Sequence, residues 1–155
     1  MARVPESVAS FLQGKRFAVA GVSRDGKLPA NAIFRKLKAS GYDVVPVNPN
    51  AETLEGVPSY PNLAAIPGPL DGLVIAAHPD VAAGLVKQAA ARGVKQVWFH
   101  RSFGEGSVSG AALDACRAAG IDPIVGGCPL MYCAPVDVAH RCFRWWLGFK
   151  GRLPA

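Results

Sequence analysis

The sequence has no long hydrophobic run and relatively few charged residues. None of its apolar stretches approaches the roughly 20 residues that a transmembrane helix needs. Charged residues make up 18% of the 155 residues and hydrophobic residues make up 50%, a composition too apolar for a disordered chain. We therefore expect a soluble globular protein without a membrane partner, and the length favours a single domain over residues 1–155.

Cysteines are also few, and the start of the sequence lacks the pattern of a secretion signal. Residues 1–14 lack a cationic start followed by an apolar run and a small-residue cleavage site, which predicts a cytoplasmic protein. The four cysteines are therefore expected to be reduced thiols. Their spacing, taken with the three histidines, matches no familiar zinc pattern, so we expect no metal site.

Acidic residues are outnumbered, with 11 Asp and Glu against 17 Lys and Arg and a net charge of +6. This excess favours an anionic partner. The basic residues are scattered, and no arginine–aromatic run or recognition-helix pattern marks a nucleic-acid binder. A small phosphorylated molecule is therefore preferred to nucleic acid, and the basic residues near the end of the chain are interpreted as a solvated helix face.

Short apolar runs rich in valine and isoleucine recur along the chain, each bounded by turn residues. They span residues 17–22, 43–48, 72–77, 96–100 and 123–126. Their nearly continuous hydrophobicity is typical of parallel strands that are covered on both faces.

Helical patterns with recognisable ends lie between these strands. Helices are predicted from Pro29 to Gly41, from Pro79 to Gly93 and from about Ser107 to Ala119, with a leading helix over 4–13 and a closing helix over 136–147. Residues 51–70 contain four prolines and two glycines and are predicted to form a structured loop with one helical turn at 63–66. The pattern predicts an α/β fold, a doubly wound parallel five-stranded sheet that is Rossmann-like with strand order 3-2-1-4-5.

In such a sheet the ligand crevice lies beyond the carboxyl ends of the strands. The first of these loops begins at Gly21, which lets the backbone approach a ligand, and it leads into a helix whose N-terminus favours phosphate. The dinucleotide fingerprint is incomplete, because Ser23 stands where its second glycine is required.

The second strand ends in Asn48 and Pro49, where an NAD site carries an acid that binds the ribose hydroxyls. An amide at this position tolerates a phosphorylated ribose, and Arg24 or Lys27 could supply the counter-charge. The two loops therefore predict a site for a pyrophosphate-bearing nucleotide other than NAD.

Several short motifs, in this order and spacing, resemble those of the CoA-binding domain family, small Rossmann-like proteins similar to the CoA-binding domain of the succinyl-CoA synthetase alpha subunit. The resemblance spans about residues 11–144. The motifs are Gly21-Val22-Ser23-Arg24 with Asn31 following, Tyr42 through Val47-Asn48-Pro49, Tyr60-Pro61-Asn62-Leu63, Pro79, Val97-Trp98 and Gly127-Cys128-Pro129.

The resemblance implies a protein that binds coenzyme A or an acyl-CoA, with Ser23 and Arg24 near the phosphates. The implied binding residues are Gly21, Val22, Ser23, Arg24, Asn31, Val47, Asn48, Pro49, His78, Pro79, His100 and Cys128. Two segments depart from the family pattern. Gly127 replaces the arginine of an Arg-Cys-Pro motif, and residues 100–104 differ after the fourth strand, which indicates a subgroup with its own pocket end.

Binding without catalysis is the leading hypothesis, and two alternatives stay open. One is a small acyl-CoA hydrolase or transferase that uses His100 or Cys128, and the other is an NAD(P)-binding sensor or reductase. Cys128 is interpreted as an apolar wall residue in preference to a reactive thiol. Adjacent Trp145 and Trp146 point in different directions on a helix, and we therefore expect a homodimer contact there.

Overall fold

The computed structural model describes residues 3–101, 106–136, 138–151 and 153–154. Its strands are β1 (Arg16–Ala20), β2 (Asp43–Val47), β3 (Thr53–Leu54), β4 (Val57–Pro58), β5 (Gly72–Ile75), β6 (Gln96–Phe99) and β7 (Ile124–Val125). Its α-helices are α1 (Glu6–Phe11), α2 (Pro29–Ala39), α3 (Pro79–Ala91), α4 (Gly110–Ala118) and α5 (Val138–Phe149). Two 3-10 helices span Leu63–Ala65 and Pro129–Met131.

Five strands form a parallel, Rossmann-like sheet in the order β2-β1-β5-β6-β7, and β3 and β4 form a separate antiparallel hairpin. All five predicted strands are confirmed. Ala20 pairs with Val47 of β2 on one side and with Ile75 of β5 on the other. The carboxyl ends of these three strands therefore meet at one level of the sheet edge.

The predicted strand order 3-2-1-4-5 is wrong. The third strand of the parallel sheet, β5, pairs with β1 and not with the outer edge of β2, so the five strands of this sheet follow the order 2-1-3-4-5 in chain order. This order is the other common doubly wound arrangement, and its crevice lies where the winding reverses between the first and third strands. In this chain that point is the junction of β1 and β5.

A single residue, Tyr60, occupies the place beside β2 that the predicted order gave to the third strand. Tyr60 N donates to Pro46 O at 3.1 Å, and Asn48 N donates to Tyr60 O at 2.9 Å, which forms one parallel bridge. Pro58 and Pro61 flank this bridge, and proline has no N–H to extend a ladder. The bridge therefore does not grow into a strand.

The sheet separates two halves of the hydrophobic core, because alternate residues of each strand point to opposite faces. Phe17 and Val19 of β1 pack with helices α1, α2 and α5 on one face. Ala18 and Ala20 pack with α3 and α4 on the other. None of the helices in the described part of the chain is long and apolar enough to cross a bilayer.

Proline begins two of the helices where the sequence predicts it. Pro29 and Pro79 occupy the first turns of α2 and α3. Helix α4 begins three residues later than predicted, because the Ser109 side chain accepts a hydrogen bond from Ala112 N and caps it. The closing helix is displaced toward the C-terminus and ends at Phe149.

Candidate functional site

The first loop begins where the backbone of β1 passes very close to the end of β5. Gly21 has a φ of +106°, which L side chains rarely adopt, and a Cβ at this position would lie 2.1 Å from Ala76 O. Glycine is therefore required here by both its conformation and the available space. This close approach brings the first loop to the junction of β1 and β5.

Asn31, a fully buried residue of α2, holds the first loop in place. Its side-chain Oδ1 accepts a hydrogen bond from Ser23 N at 3.1 Å, and its Nδ2 donates to Ser23 O at 2.8 Å. The same Nδ2 also donates to Glu55 Oε1 at 2.7 Å. One side chain thus fixes both backbone groups of Ser23 and links the loop to the β3–β4 hairpin.

Arg35 makes a second link between the loop and the hairpin, one helical turn after Asn31. Its Nη1 lies 3.0 Å from Glu55 Oε1, and its Nη2 donates to Gly26 O at 2.9 Å. The Glu55 side chain is only 15% exposed, so this ion pair is more shielded than a typical surface pair. The turn of the hairpin is therefore fastened to the first loop by two α2 side chains.

The sequence interpretation missed this arrangement, since residues 51–70 were predicted to form a loop. The sequence does contain a hairpin signal, the dipeptide Glu55-Gly56 between Leu54 and Val57. Both central residues have positive φ, 50° and 75°, as the preferred two-residue hairpin turns require. Glu55 is not a favoured residue for that turn, which explains why the pattern is weak.

Side chains from the loops after β1 and β2 line one cleft of about 730 Å³. Asn48 Nδ2 donates to Val22 O at 2.9 Å, which joins the two loops. Arg24 Nη2 donates to Asn50 O at 2.7 Å across the same gap. The lining residues are Arg24, Asn48, Pro49, Asn50, Ala51, Glu52, Thr53, Ser59 and Pro61.

The charged groups of the cleft are Arg24 and Glu52. Arg24 uses one guanidinium N–H on Asn50 O, and a guanidinium has five N–H donors. The remaining donors suit a phosphate or carboxylate oxygen, which such groups bind with charge-assisted hydrogen bonds. The cleft can therefore hold one anionic group at Arg24 and hydroxyl or amide groups along Asn48 and Asn50.

Residues 15–134 match the family model described as CoA binding domain. The chain belongs to this family. Membership implies association with CoA in general, and it agrees with the resemblance noted in the sequence.

The relatives of this CoA-binding domain include larger enzymes. Acetate–CoA ligase (ADP-forming) II of Archaeoglobus fulgidus is 32% identical over 103 residues, which cover 64% of this chain and 15% of the ligase. An acetyl-coenzyme A synthetase from Candidatus Korarchaeum cryptofilum, solved with phosphate and ADP, has a TM-score of 0.62 and 26% identity over 71% of this chain and 25% of its own. The chain therefore corresponds to a small part of these enzymes.

A hypothetical protein from Pyrococcus horikoshii is similar in size as well as in fold. It has a TM-score of 0.70 and 26% identity, with coverage of 83% of this chain and 94% of its own. The same fold thus also occurs as a chain of about this length.

Three of the twelve predicted binding residues of the CoA-binding domain line the cleft, namely Arg24, Asn48 and Pro49. Gly21 and Asn31 shape the loop beside it. The side chains of Val22 and Val47 are buried in the two core halves. The contribution of each predicted residue to ligand binding remains a prediction.

The two predicted histidines follow β5 and β6. His78 caps α3, because its Nδ1 accepts a hydrogen bond from Asp80 N at 3.3 Å while most of its side chain is exposed. His100 follows β6 and is largely buried, and this burial lowers its pKa, so the imidazole is neutral at neutral pH. Part of the predicted pocket end, residues 102–105, lies outside the described residues.

Cys128 is buried in the core half that contains α2, together with Cys133. Burial raises the pKa of the Cys128 thiol to about 12 and that of the Cys133 thiol to about 11. Both are therefore protonated at neutral pH, whereas a reactive cysteine needs its thiolate. These properties favour the interpretation of Cys128 as a wall residue.

The thiols should differ sharply in reactivity. Of the four free cysteines only Cys142 is exposed, so we expect one fast-reacting thiol per chain with dithionitrobenzoate in dilute native protein and four after unfolding in guanidinium. Cys142→Ser should remove the fast phase. A fast phase that persists in this variant, and disappears in Cys128→Ser, would contradict the assignment.

Within residues 3–101, 106–136, 138–151 and 153–154, no three His, Cys, Asp or Glu side chains come together as metal ligands would.

Proposed function

We propose that this chain binds coenzyme A or an acyl-CoA in the cleft between the loops that follow β1 and β2, without catalysis of its own. One observation carries the proposal. Arg24 and Asn48, which come from different loops, line the same cleft at the carboxyl ends of the parallel strands. Open α/β sheets bind their ligands at such crevices.

The chemistry of the cleft supports a phosphorylated nucleotide. Its volume of about 730 Å³ lies within the range of about 300–1,000 Å³ for small-molecule sites. Arg24 provides the positive charge for a phosphate, and the carboxyl end of β2 carries the amide of Asn48 in place of an acid. An amide does not repel the 3′-phosphate that distinguishes the ribose of CoA.

Glu52 is the observation that favours a second candidate, an NAD-type dinucleotide. It lines the cleft four residues after Asn48, and dinucleotide sites use an acid to bind the free ribose hydroxyls. A 3′-phosphate near Glu52 would be repelled, whereas a free ribose diol would not. Ligands that differ in this one phosphate therefore separate the two candidates.

We also propose that the site binds its ligand without catalysing a reaction on it. A protonated Cys128 is a poor nucleophile, and a large part of the ligase relative lies outside the region matched by this chain. Four free thiols, three of them buried, support the reducing cytoplasm as the proposed compartment.

Isothermal titration of the full chain with CoA, acetyl-CoA, 3′-dephospho-CoA and NADH tests the proposal. We expect CoA and acetyl-CoA to bind most tightly, and removal of the 3′-phosphate to weaken binding because Arg24 loses a charged partner. Tighter binding of NADH than of CoA would favour the second candidate. Failure of all four ligands to bind would contradict both.

Arg24→Gln is expected to weaken CoA binding at least about tenfold, since one charge-assisted hydrogen bond contributes about 1.5–3 kcal/mol. Arg117→Gln is the matched control, because Arg117 is an exposed arginine of α4 that pairs with Asp114. The same titration should show unchanged affinity in the control. Equal losses in the two variants would indicate a general effect of net charge and not a phosphate contact.

A further inference from the structure

Helix α5 carries an exposed apolar stripe that does not line the proposed CoA cleft. Val138, Cys142, Trp145 and Phe149 follow one another at spacings of four, three and four residues, which places them on one helix face. Val138 is 72% exposed, Trp145 is 73% exposed and Phe149 is 81% exposed. Cys142 is exposed between them.

The opposite face of α5 holds the helix on the protein. Leu147 is fully buried in the core half that contains α2. The Arg144 guanidinium lies 4.6 Å from the centre of the Tyr132 ring, a cation–π distance. Because Leu147 lies on the other side of the helix from the stripe, the stripe points into solvent, with a groove of about 990 Å³ beside Val138 and Trp145.

We propose that this stripe is covered by the same stripe of a second copy of the chain, with the two α5 helices antiparallel. The four, three, four spacing is that of a helix–helix seam, in which side chains of one helix insert between those of the other. An antiparallel pairing places Val138 opposite the partner's Phe149, and Cys142 opposite the partner's Trp145. Each contact thus joins a small residue to a large one.

The exposed area is sufficient for such a dimer. A large aromatic side chain can bury about 150–250 Å², so Trp145, Trp146 and Phe149 together with Val138 leave roughly 500 Å² of apolar surface in solvent. Two copies together supply about 1,000 Å², which is the approximate lower limit for a specific interface. An exposed apolar patch of this size is often functional.

The positive charge of Arg141 beside the stripe is compatible with the antiparallel orientation. Arg141 lies on one flank of the stripe together with Gly148, and Trp146 lies on the other together with Ala139. In an antiparallel pair each flank faces the same flank of the partner in the opposite direction. Arg141 then lies nearest the partner's Gly148, and the two arginines are displaced from each other along the helices.

The mass of the full chain in solution tests the proposal, together with one variant on the stripe and a matched one away from it. Light scattering and sedimentation equilibrium at tens of micromolar should give about twice the 16.2 kDa of one chain. Val138→Glu places a carboxylate against the partner's Phe149 and is expected to weaken the dimer at least about tenfold. Val81→Glu, at an exposed valine of α3, should leave it unchanged.

Thiol labelling gives an independent reading of the same interface. The labelling rate of Cys142 should fall as the protein concentration rises through the dissociation constant, and it should not fall in Val138→Glu. A wild-type chain that stays monomeric at tens of micromolar would overturn the proposal. So would an equal effect of Val81→Glu, or a wild-type monomer that sediments with phosphatidylserine vesicles and loses this binding in Trp145→Ser.

Cross-linking distinguishes the two orientations. In a Cys142→Ser background, chains carrying Val138→Cys and chains carrying Phe149→Cys should form a disulfide with each other when mixed and oxidised. Either chain alone should not, because an antiparallel pair separates two copies of the same position by about 16 Å along the helix. Cross-linking of the Val138→Cys chain with itself would contradict the antiparallel arrangement.

Discussion

Gly21→Ala should lose at least about 3 kcal/mol of unfolding free energy and all measurable CoA binding. The added Cβ would lie 2.1 Å from Ala76 O and 2.6 Å from Ala76 C, which are backbone atoms at the end of β5 and cannot rotate away. To relieve this contact, the first loop must move away from the junction of β1 and β5. Such a movement also displaces Ser23 and Arg24, the residues proposed to lie near the phosphates.

Gly41→Ala is the matched control for this substitution. Gly41 follows α2 with a φ of +93°, close to that of Gly21, but a Cβ there would meet no atom within 4 Å. Gly41→Ala should therefore lower the free energy of unfolding only by the backbone strain, about 1–2 kcal/mol. Urea unfolding and CoA titration of both variants separate strain from steric clash. Similar losses of stability in the two variants would show that the close approach to Ala76 is unimportant.

Asn31→Ala is expected to cost about 2–4 kcal/mol and to weaken CoA binding more than tenfold. The substitution removes three hydrogen bonds, two of them to the backbone of Ser23, and leaves polar groups in a largely buried site without partners. It also releases Glu55, so the hairpin loses one of its two links to the first loop. Urea unfolding gives the stability, and titration gives the affinity.

Asn62→Ala provides the comparison for Asn31. Asn62 caps the 3-10 helix Leu63–Ala65 with a single hydrogen bond from Ala65 N at 2.9 Å. Its loss should cost about 1 kcal/mol and leave CoA affinity unchanged. If Asn31→Ala destabilised the fold and yet bound CoA as tightly as the wild type, the first loop would not be part of the binding site.

Gly21→Ala and Asn31→Ala both test how the first loop is held in position. Gly21 sets how closely the first loop approaches β5, and Asn31 sets how the loop is held against α2. Arg35 and Glu55 complete the frame by joining the loop to the hairpin. The proposed phosphate site is therefore preorganised by residues of which only some lie in the cleft.

Much of this architecture can be predicted from local patterns. Nearly continuous apolar runs predicted the parallel strands, and Pro29 and Pro79 predicted where two helices begin, because these features depend on neighbours in the chain. The position of Arg24 and Asn48 at one sheet edge followed from their place after parallel strands. The match to the CoA binding domain over residues 15–134 supports the ligand class that the motifs indicated.

Other features depend on contacts between segments distant in sequence. Local patterns could not place β5 beside β1, because a position at either edge of the β1–β2 pair would bury the apolar side chains of β5. The outer edge of β2 is occupied by the Tyr60 bridge. The ion pair of Arg35 and Glu55 required the hairpin to fold back on α2. Residue type and spacing are thus sufficient to predict the strands and the sheet edge that we propose carries the ligand. Strand order and the frame around the first loop arise from packing between distant segments, which no local pattern encodes.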